Sequence, residues 1–150
     1  MQNSISSYRS TFEKPLTPEI FSREEKRLLR SSQISRTTFI SAIKTHLRHN
    51  IRSGQTIDAI AEEMCLSQRT LTRRLHTMNC QYRDIKDEVM MELSQDYLIN
   101  TSEPIRNISG KLGYSDASNF CKAFKRWTGS TPKEYRNTHS RKQVGDKSQI

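Results

Sequence analysis

The sequence predicts an all-α chain of about seven helices, in which two similar pairs of short helices are joined by one long helix. Three observations carry this reading. Glycine and proline number only 5 and 4 in 150 residues, too few for an all-β chain that turns every ten residues or so. Apolar residues recur at three- and four-residue spacing from Thr37 onward, the period of helices with one buried face. The pattern of one helix pair also returns, in phase, near residue 105, which is the mark of an internal repeat.

Residues 1–36 read as a tail, with Pro15, Pro18, many serines and few apolar positions before Ile20, Phe21, Leu28 and Leu29. Within it, Thr17-Pro18-Glu19 offers a cap and a first-position proline for a short helix. The first long helix starts at Thr37, carries Ile40, Ile43, Leu47 and Ile51 with Phe39 beside them, and stops at Ser53-Gly54. Thr56 then caps a short helix whose apolar face is Ile57, Ile60, Ala61 and Met64. Ser67 caps the next, which buries Leu71, Leu75 and Met78 and turns Gln68, Arg69, Thr72 and Arg73 outward. Asn79 suits the left-handed position that ends it.

From Tyr82 to Asn100 no proline or glycine intervenes, and Tyr82, Ile85, Val89, Leu93 and Tyr97 form one stripe beside Met90 and Leu98. A helix of about 19 residues is roughly 28 Å long, a spacer between two units. Beyond it, Ile105, Ile108, Ser109 and Leu112 repeat Ile57, Ile60, Ala61 and Met64, and Ser115 stands where Ser67 does. Phe120 and Phe124 repeat Leu71 and Leu75 one residue later, which places an extra residue at the start of the second outward helix. Gly113 falls where the turn needs positive φ, and Cys65 holds that place in the first copy. Thr131-Pro132-Lys133-Glu134 is a capping box opening a last helix. Residues 138–150 lack apolar periodicity and read as a disordered basic tail.

Composition narrows the function classes. Lysine and arginine number 25 against 16 aspartates and glutamates, a net charge of +9, so an acidic partner is expected, with nucleic acid or an anionic membrane surface first. No run of about 18 apolar residues is present to span a bilayer. Met1 to Ser10 has no secretory pattern, so a cytoplasmic location is expected, and Cys65, Cys80 and Cys121 read as unpaired thiols. Charge is uneven: residues 101–150 hold 10 basic and 4 acidic side chains, residues 51–100 hold 6 and 8.

Two short helices, a turn of about three residues, a small residue on the inner face and a serine cap describe a helix-turn-helix. One such corner is common in all-helical proteins. Two phased copies, separated by a helix nearly as long as the 34 Å pitch of B-DNA, can place both outward helices in successive major grooves. The second copy reads Ile108-Ser109-Gly110-Lys111-Leu112-Gly113-Tyr114-Ser115-Asp116-Ala117-Ser118-Asn119-Phe120, then Ala123-Phe124-Lys125-Arg126, Gly129 and Pro132-Lys133-Glu134-Tyr135-Arg136. Over residues 37–137 the chain resembles the AraC/XylS family of bacterial transcription regulators.

The resemblance implies two helix-turn-helix subdomains on a linker helix that recognise double-stranded promoter DNA and activate transcription in the bacterial nucleoid, with RNA polymerase as a partner. It maps base-reading positions onto Gln68, Arg69, Thr72 and Arg73 in the first outward helix, and onto Asp116, Ala117, Asn119 and Lys122 in the second. Side-chain chemistry supports the first set: arginine pairs with guanine O6 and N7, and glutamine with adenine N6 and N7. Asp116 can only accept from cytosine N4, and Lys122 lacks a bidentate fork, so the second helix is expected to grip more than it reads. Phosphate contacts are expected from Lys111, Lys125, Arg126 and Arg136, with backbone amides near Thr56 and Ser115. Many relatives carry an effector domain of well over a hundred residues. Residues 1–36 have no room for one and read as a disordered tail or a remnant of one; alternatively the chain resembles the stand-alone members of the family, which implies binding as a monomer, to about 20 base pairs.

Other chemistry finds little support. His46 and His49 lack a third metal ligand nearby, and Trp127 and Tyr135 sit at core spacing. Glu62-Glu63 and Asp87-Glu88 point to different sides of a helix, and there is no phosphate loop and no G-x-S-x-G. No enzyme activity, cofactor, metal or membrane partner is expected. Two alternatives stay open at this level: a nonspecific or RNA binder, and a modulator of another regulator or of RNA polymerase that does not read DNA.

Overall fold

Local signals set where the helices begin. The computed structural model describes residues 19–52 and 56–144, and among these it contains eight helices and no strand. They are α1 (Arg23–Arg30), α2 (Arg36–His49), α3 (Ile57–Glu63), α4 (Gln68–Thr77), α5 (Tyr82–Asn100), α6 (Ile105–Lys111), α7 (Ala117–Thr128) and α8 (Pro132–Val144). Ser22, Ser35, Thr56, Ser67 and Asp116 each cap the helix that follows, through a side-chain oxygen that accepts from a first-turn amide. The Ser53-Gly54 stop, the Thr17-Pro18 start and Lys147 lie outside the described residues; α2 ends at His49 with Asn50 as its C-cap, before that stop.

Two cores form, one per helix pair. The first gathers Phe39, Ile43 and Leu47 of α2, Ile60 and Ala61 of α3, Leu71 and Leu75 of α4, and Ile85 and Val89 of α5. The second is smaller: Met90, Leu98, Ile108, Leu112, Phe120 and Phe124. α5 serves both. Sequence periodicity gave it a single stripe, but its buried residues are Ile85 and Val89 and then Met90, Ser94 and Leu98. At about 100° per residue these two sets lie on nearly opposite faces, because each half of the rod packs against a different subdomain. The buried Ser94 hydroxyl is satisfied within the helix by the Met90 carbonyl at 2.5 Å.

Other contacts fasten the subdomains. Lys44 and Arg48 of α2 pair with Glu88 and Glu92 of α5. Ile51, just past α2, packs into the second core, and its carbonyl lies under the turn at Gly113. Gly113 has φ +81°, and a Cβ there would come within 3.0 Å of the Ile51 oxygen. Both conditions require glycine, so Gly113→Ala is expected to destabilise by about 1–2 kcal/mol from the backbone alone, measured by denaturant unfolding. The first copy meets the same need with Cys65 at φ 54°, and Asn79 takes the left-handed position after α4 at φ 53°.

The termini differ from expectation. Where a tail was expected through residue 36, α1 forms on the Ser22–Glu25 capping box and packs through Phe21 and Leu29 into the first core. Only two residues are buried, which is why apolar density gave no sign of it. At the other end α8 runs to Val144, past the boundary expected at residue 138. Ring stacking of His139 on Tyr135, with centroids 3.9 Å apart, continues the helix there without apolar periodicity.

Two carboxyls close capping boxes. Glu25 accepts from the Ser22 amide at 2.7 Å and Glu134 from the Thr131 amide at 2.8 Å. These backbone bonds hold both carboxyls below the usual glutamate range. A carboxyl whose pKa is depressed by folding stabilises above its unfolded-chain value, and that stability is lost as pH falls through the folded value. Glu134→Gln is therefore expected to melt below the parent protein at neutral pH, with the gap closing below about pH 4. A gap constant through acid would remove this role.

Candidate nucleic-acid interface

α4 is held at both ends and leaves one face open. Ser67 Oγ accepts from the Thr70 amide at 3.1 Å, and Leu71 and Leu75 bury the inner face completely. Arg74 fixes the flank, donating to the carbonyls of Leu29 at 2.6 Å and Arg30 at 2.7 Å, with its guanidinium 5.6 Å from the Phe39 ring centroid. What remains is the outer surface: Gln68, Arg69, Thr72 and Arg73 are all exposed and line one open hollow together with His76 and Thr77. Among the described residues neither Arg69 nor Arg73 has a carboxylate partner. A helix with two unspent guanidinium groups and a carboxamide on one face can form bidentate pairs with base edges.

α7 presents the second face. Phe120 and Phe124 are fully buried, and Tyr114 tilts onto Phe120 at 5.5 Å; burial pushes its phenol above the usual range, with Asp87 reinforcing and Arg126 opposing. Asn119 and Lys122 are exposed and Ala117 is half-buried. Asp116, mapped as a base reader, is the N-cap: its carboxylate accepts from the Asn119 amide at 2.8 Å and from the Asn119 side chain at 2.7 Å. The true counterpart of Ser67 is thus Asp116, not Ser115. The extra residue of the second copy sits in the turn before α7 and not within the helix, and Ser115 is exposed there.

With the register corrected, the α4 face of Gln68, Arg69, Thr72 and Arg73 corresponds to Ala117, Ser118, Cys121 and Lys122. The corrected register adds Ser118, which is exposed, and Cys121, which is half-buried, to the outward positions. The signal was in the sequence, since the offset between Leu71 and Phe120 already applied to the whole outward helix.

The expected phosphate contacts divide. Lys125 is exposed, as is Arg126, which pairs with Asp87 at 3.1 Å and lies 5.9 Å from the Trp127 ring centroid. Lys111 is bound to Glu103 and lies over Tyr97 at 5.5 Å. Thr56 is occupied in capping α3, where it accepts from the Ala59 amide at 3.2 Å. Arg136 is a correction: it is half-buried and donates to the carbonyls of Leu98 at 3.3 Å and Glu103 at 2.6 Å. Its guanidinium ties α8 to the last turn of α5 and to the segment before α6, as Arg74 ties α4 to α1.

Trp127 and Tyr135 pack on the second core, with Tyr135 edge-on to Phe124 at 5.3 Å. His46 is buried in the first subdomain, and His49 contacts the Thr45 carbonyl at 2.8 Å. Among the described residues no group of three or more His, Cys, Asp or Glu is placed to hold a metal ion, and no helix is long and apolar enough to cross a membrane.

Residues 60–138 match a sequence-family model described as a helix-turn-helix domain, a span that runs from α3 through both faces into α8. The chain belongs to the AraC/XylS family. Among its AraC/XylS relatives, the HTH-type transcriptional regulator VqsM of Pseudomonas aeruginosa is 41% identical over 78 residues, 52% of this chain and 24% of VqsM. The HTH-type transcriptional activator CfaD of Escherichia coli is 27% identical over 111 residues, 73% of this chain and 42% of CfaD. The chain therefore spans less than half the length of these relatives. Among solved structures, the C-terminal domain of AraT, a response regulator from Geobacillus stearothermophilus, is 28% identical with a TM-score of 0.60, covering 69% of this chain and 88% of that domain. The AraC-type DNA-binding domain is thus the part of the family that this chain shares.

Proposed function

We propose that the chain is a sequence-specific duplex DNA-binding transcription regulator, acting as an activator in the nucleoid and binding as a monomer with α4 and α7 in successive major grooves. The observation that carries this is the α4 face, where Gln68, Arg69, Thr72 and Arg73 are exposed together on a helix fixed by its cap, its core and Arg74. The DNA-binding domain is assigned to residues 37–137, with α1 packed against its first core. Base reading belongs to Gln68, Arg69, Thr72 and Arg73, and in α7 to Ala117, Asn119 and Lys122 with Ser118 and Cys121; Asp116 sets the start of α7. Phosphate contacts belong to Lys111, Lys125 and Arg126, with the amides near Thr56 and Ser115.

The chemistry is binding, not catalysis. CfaD, named an activator, supports the activating sign, which makes RNA polymerase the natural second partner. The test is selection from a random duplex library at physiological salt, followed by sequencing of the bound fraction. Enrichment of two half-sites about 10 base pairs apart is expected; binding without enrichment would leave only a nonspecific polyanion binder.

A further inference from the structure

We infer that α1 is a clamp on the DNA backbone: Arg23, Arg27 and Arg30 hold phosphates of the same duplex that α4 reads. The inference rests on the proposed function above and extends it to a helix that lies outside the family match, which begins at residue 60.

A row of arginines on a loose helix would mean little. This helix is fastened at several points. Phe21 and Leu29 are buried in the first core, the Ile20 amide donates to Glu63 at 3.2 Å, and Lys26 sits 3.7 Å from the same carboxylate. Its last turn lies against the last turn of α4, where Arg74, the neighbour of Arg73, donates to two of its carbonyls. α1 is therefore fixed directly to the reading helix, so a duplex that α4 enters passes at a set distance from the arginine row.

The charges on α1 sort by face. Lys26, on the inner side, is satisfied by Glu63 and Glu19. Arg23, Arg27 and Arg30 recur at i, i+4 and i+7, so they share one stripe, and all three are exposed. Among the described residues none of them pairs with a carboxylate, while Glu25 is engaged in the Ser22 capping box. Three unneutralised guanidinium groups in a row repel one another, and a line of phosphates relieves that repulsion with charge-assisted bonds. The repeat of charge along a duplex strand matches such a row better than a single anion does.

The test is the salt dependence of binding for a triple variant, Arg23→Gln, Arg27→Gln and Arg30→Gln, on a selected duplex and on random DNA. Each phosphate contact contributes about 0.9 to the slope of log affinity against log salt. The triple variant is expected to lose about 2.7 of that slope and Arg27→Gln alone about 0.9. Both DNAs should weaken by the same factor, because phosphates carry no sequence. The helical signal and melting temperature should match the parent, since Arg74 bonds to backbone carbonyls and these side chains are exposed. If the triple variant melts early, the slope of Arg27→Gln decides. An unchanged slope in a parent that still selects its site overturns the clamp alone; a parent that binds no duplex overturns the proposed function, and the clamp with it.

Discussion

Phe120→Ala is expected to lower the stability of the second subdomain by about 3–5 kcal/mol, while leaving the first largely folded. Phe120 is fully buried and touches Tyr114 at 5.5 Å and Phe124 at 5.9 Å between ring centroids. The core around it has only six buried residues, so the cavity cannot be refilled without moving α7 against α5. The first core contains twelve and shares none of them. Hydrogen exchange followed by residue should show amides of α6, α7 and α8 opening in the variant while those of α2 and α4 stay protected. Equal loss across both halves would mean that the two cores unfold as one unit.

Arg73→Ala is expected to weaken binding to the selected site by about ten- to a hundredfold, the range of one lost bidentate contact to guanine. Binding to random DNA should fall far less. The distinction rests on geometry: Arg73 stands on the open face of α4 and has no carboxylate partner among the described residues, whereas the adjacent Arg74 is tied to the carbonyls of Leu29 and Arg30. Arg74→Ala should therefore reduce stability before it touches specificity. Titrations of both variants against selected and random duplexes separate the roles. An equal loss of Arg73→Ala on both DNAs would make Arg73 a backbone contact.

Helix periodicity placed α2 through α7 within a residue or two, because caps and apolar spacing are local and agree with one another. The misplacements have a common cause. α1 is stabilised by Arg74, far away in sequence, and α5 turns two faces to two partners, so neither shows its burial in local pattern. Arg136 looked like surface charge because its acceptors, the carbonyls of Leu98 and Glu103, are visible only in three dimensions. The outward face of α4 was legible, since a serine cap and two buried positions, Leu71 and Leu75, fix which residues point outward. The α7 face was legible only in part: the inserted Ser115 shifted its cap to Asp116, and Ser118 and Cys121 were passed over.

With the two subdomains on opposite faces of α5, and Ile51 beside one packed against the core of the other, that helix sets the spacing between the two outward faces. Adding one base pair to the stretch between two half-sites turns the second about 35° around the duplex axis, while α5 joins the two subdomains as one unbroken helix from Tyr82 to Asn100. DNA that absorbs this turn does so at an energetic cost that depends on its own stiffness. Under the proposed two-groove binding, bases that meet no side chain would carry information through their number, and the length of the gap would be read along with the sequence on either side.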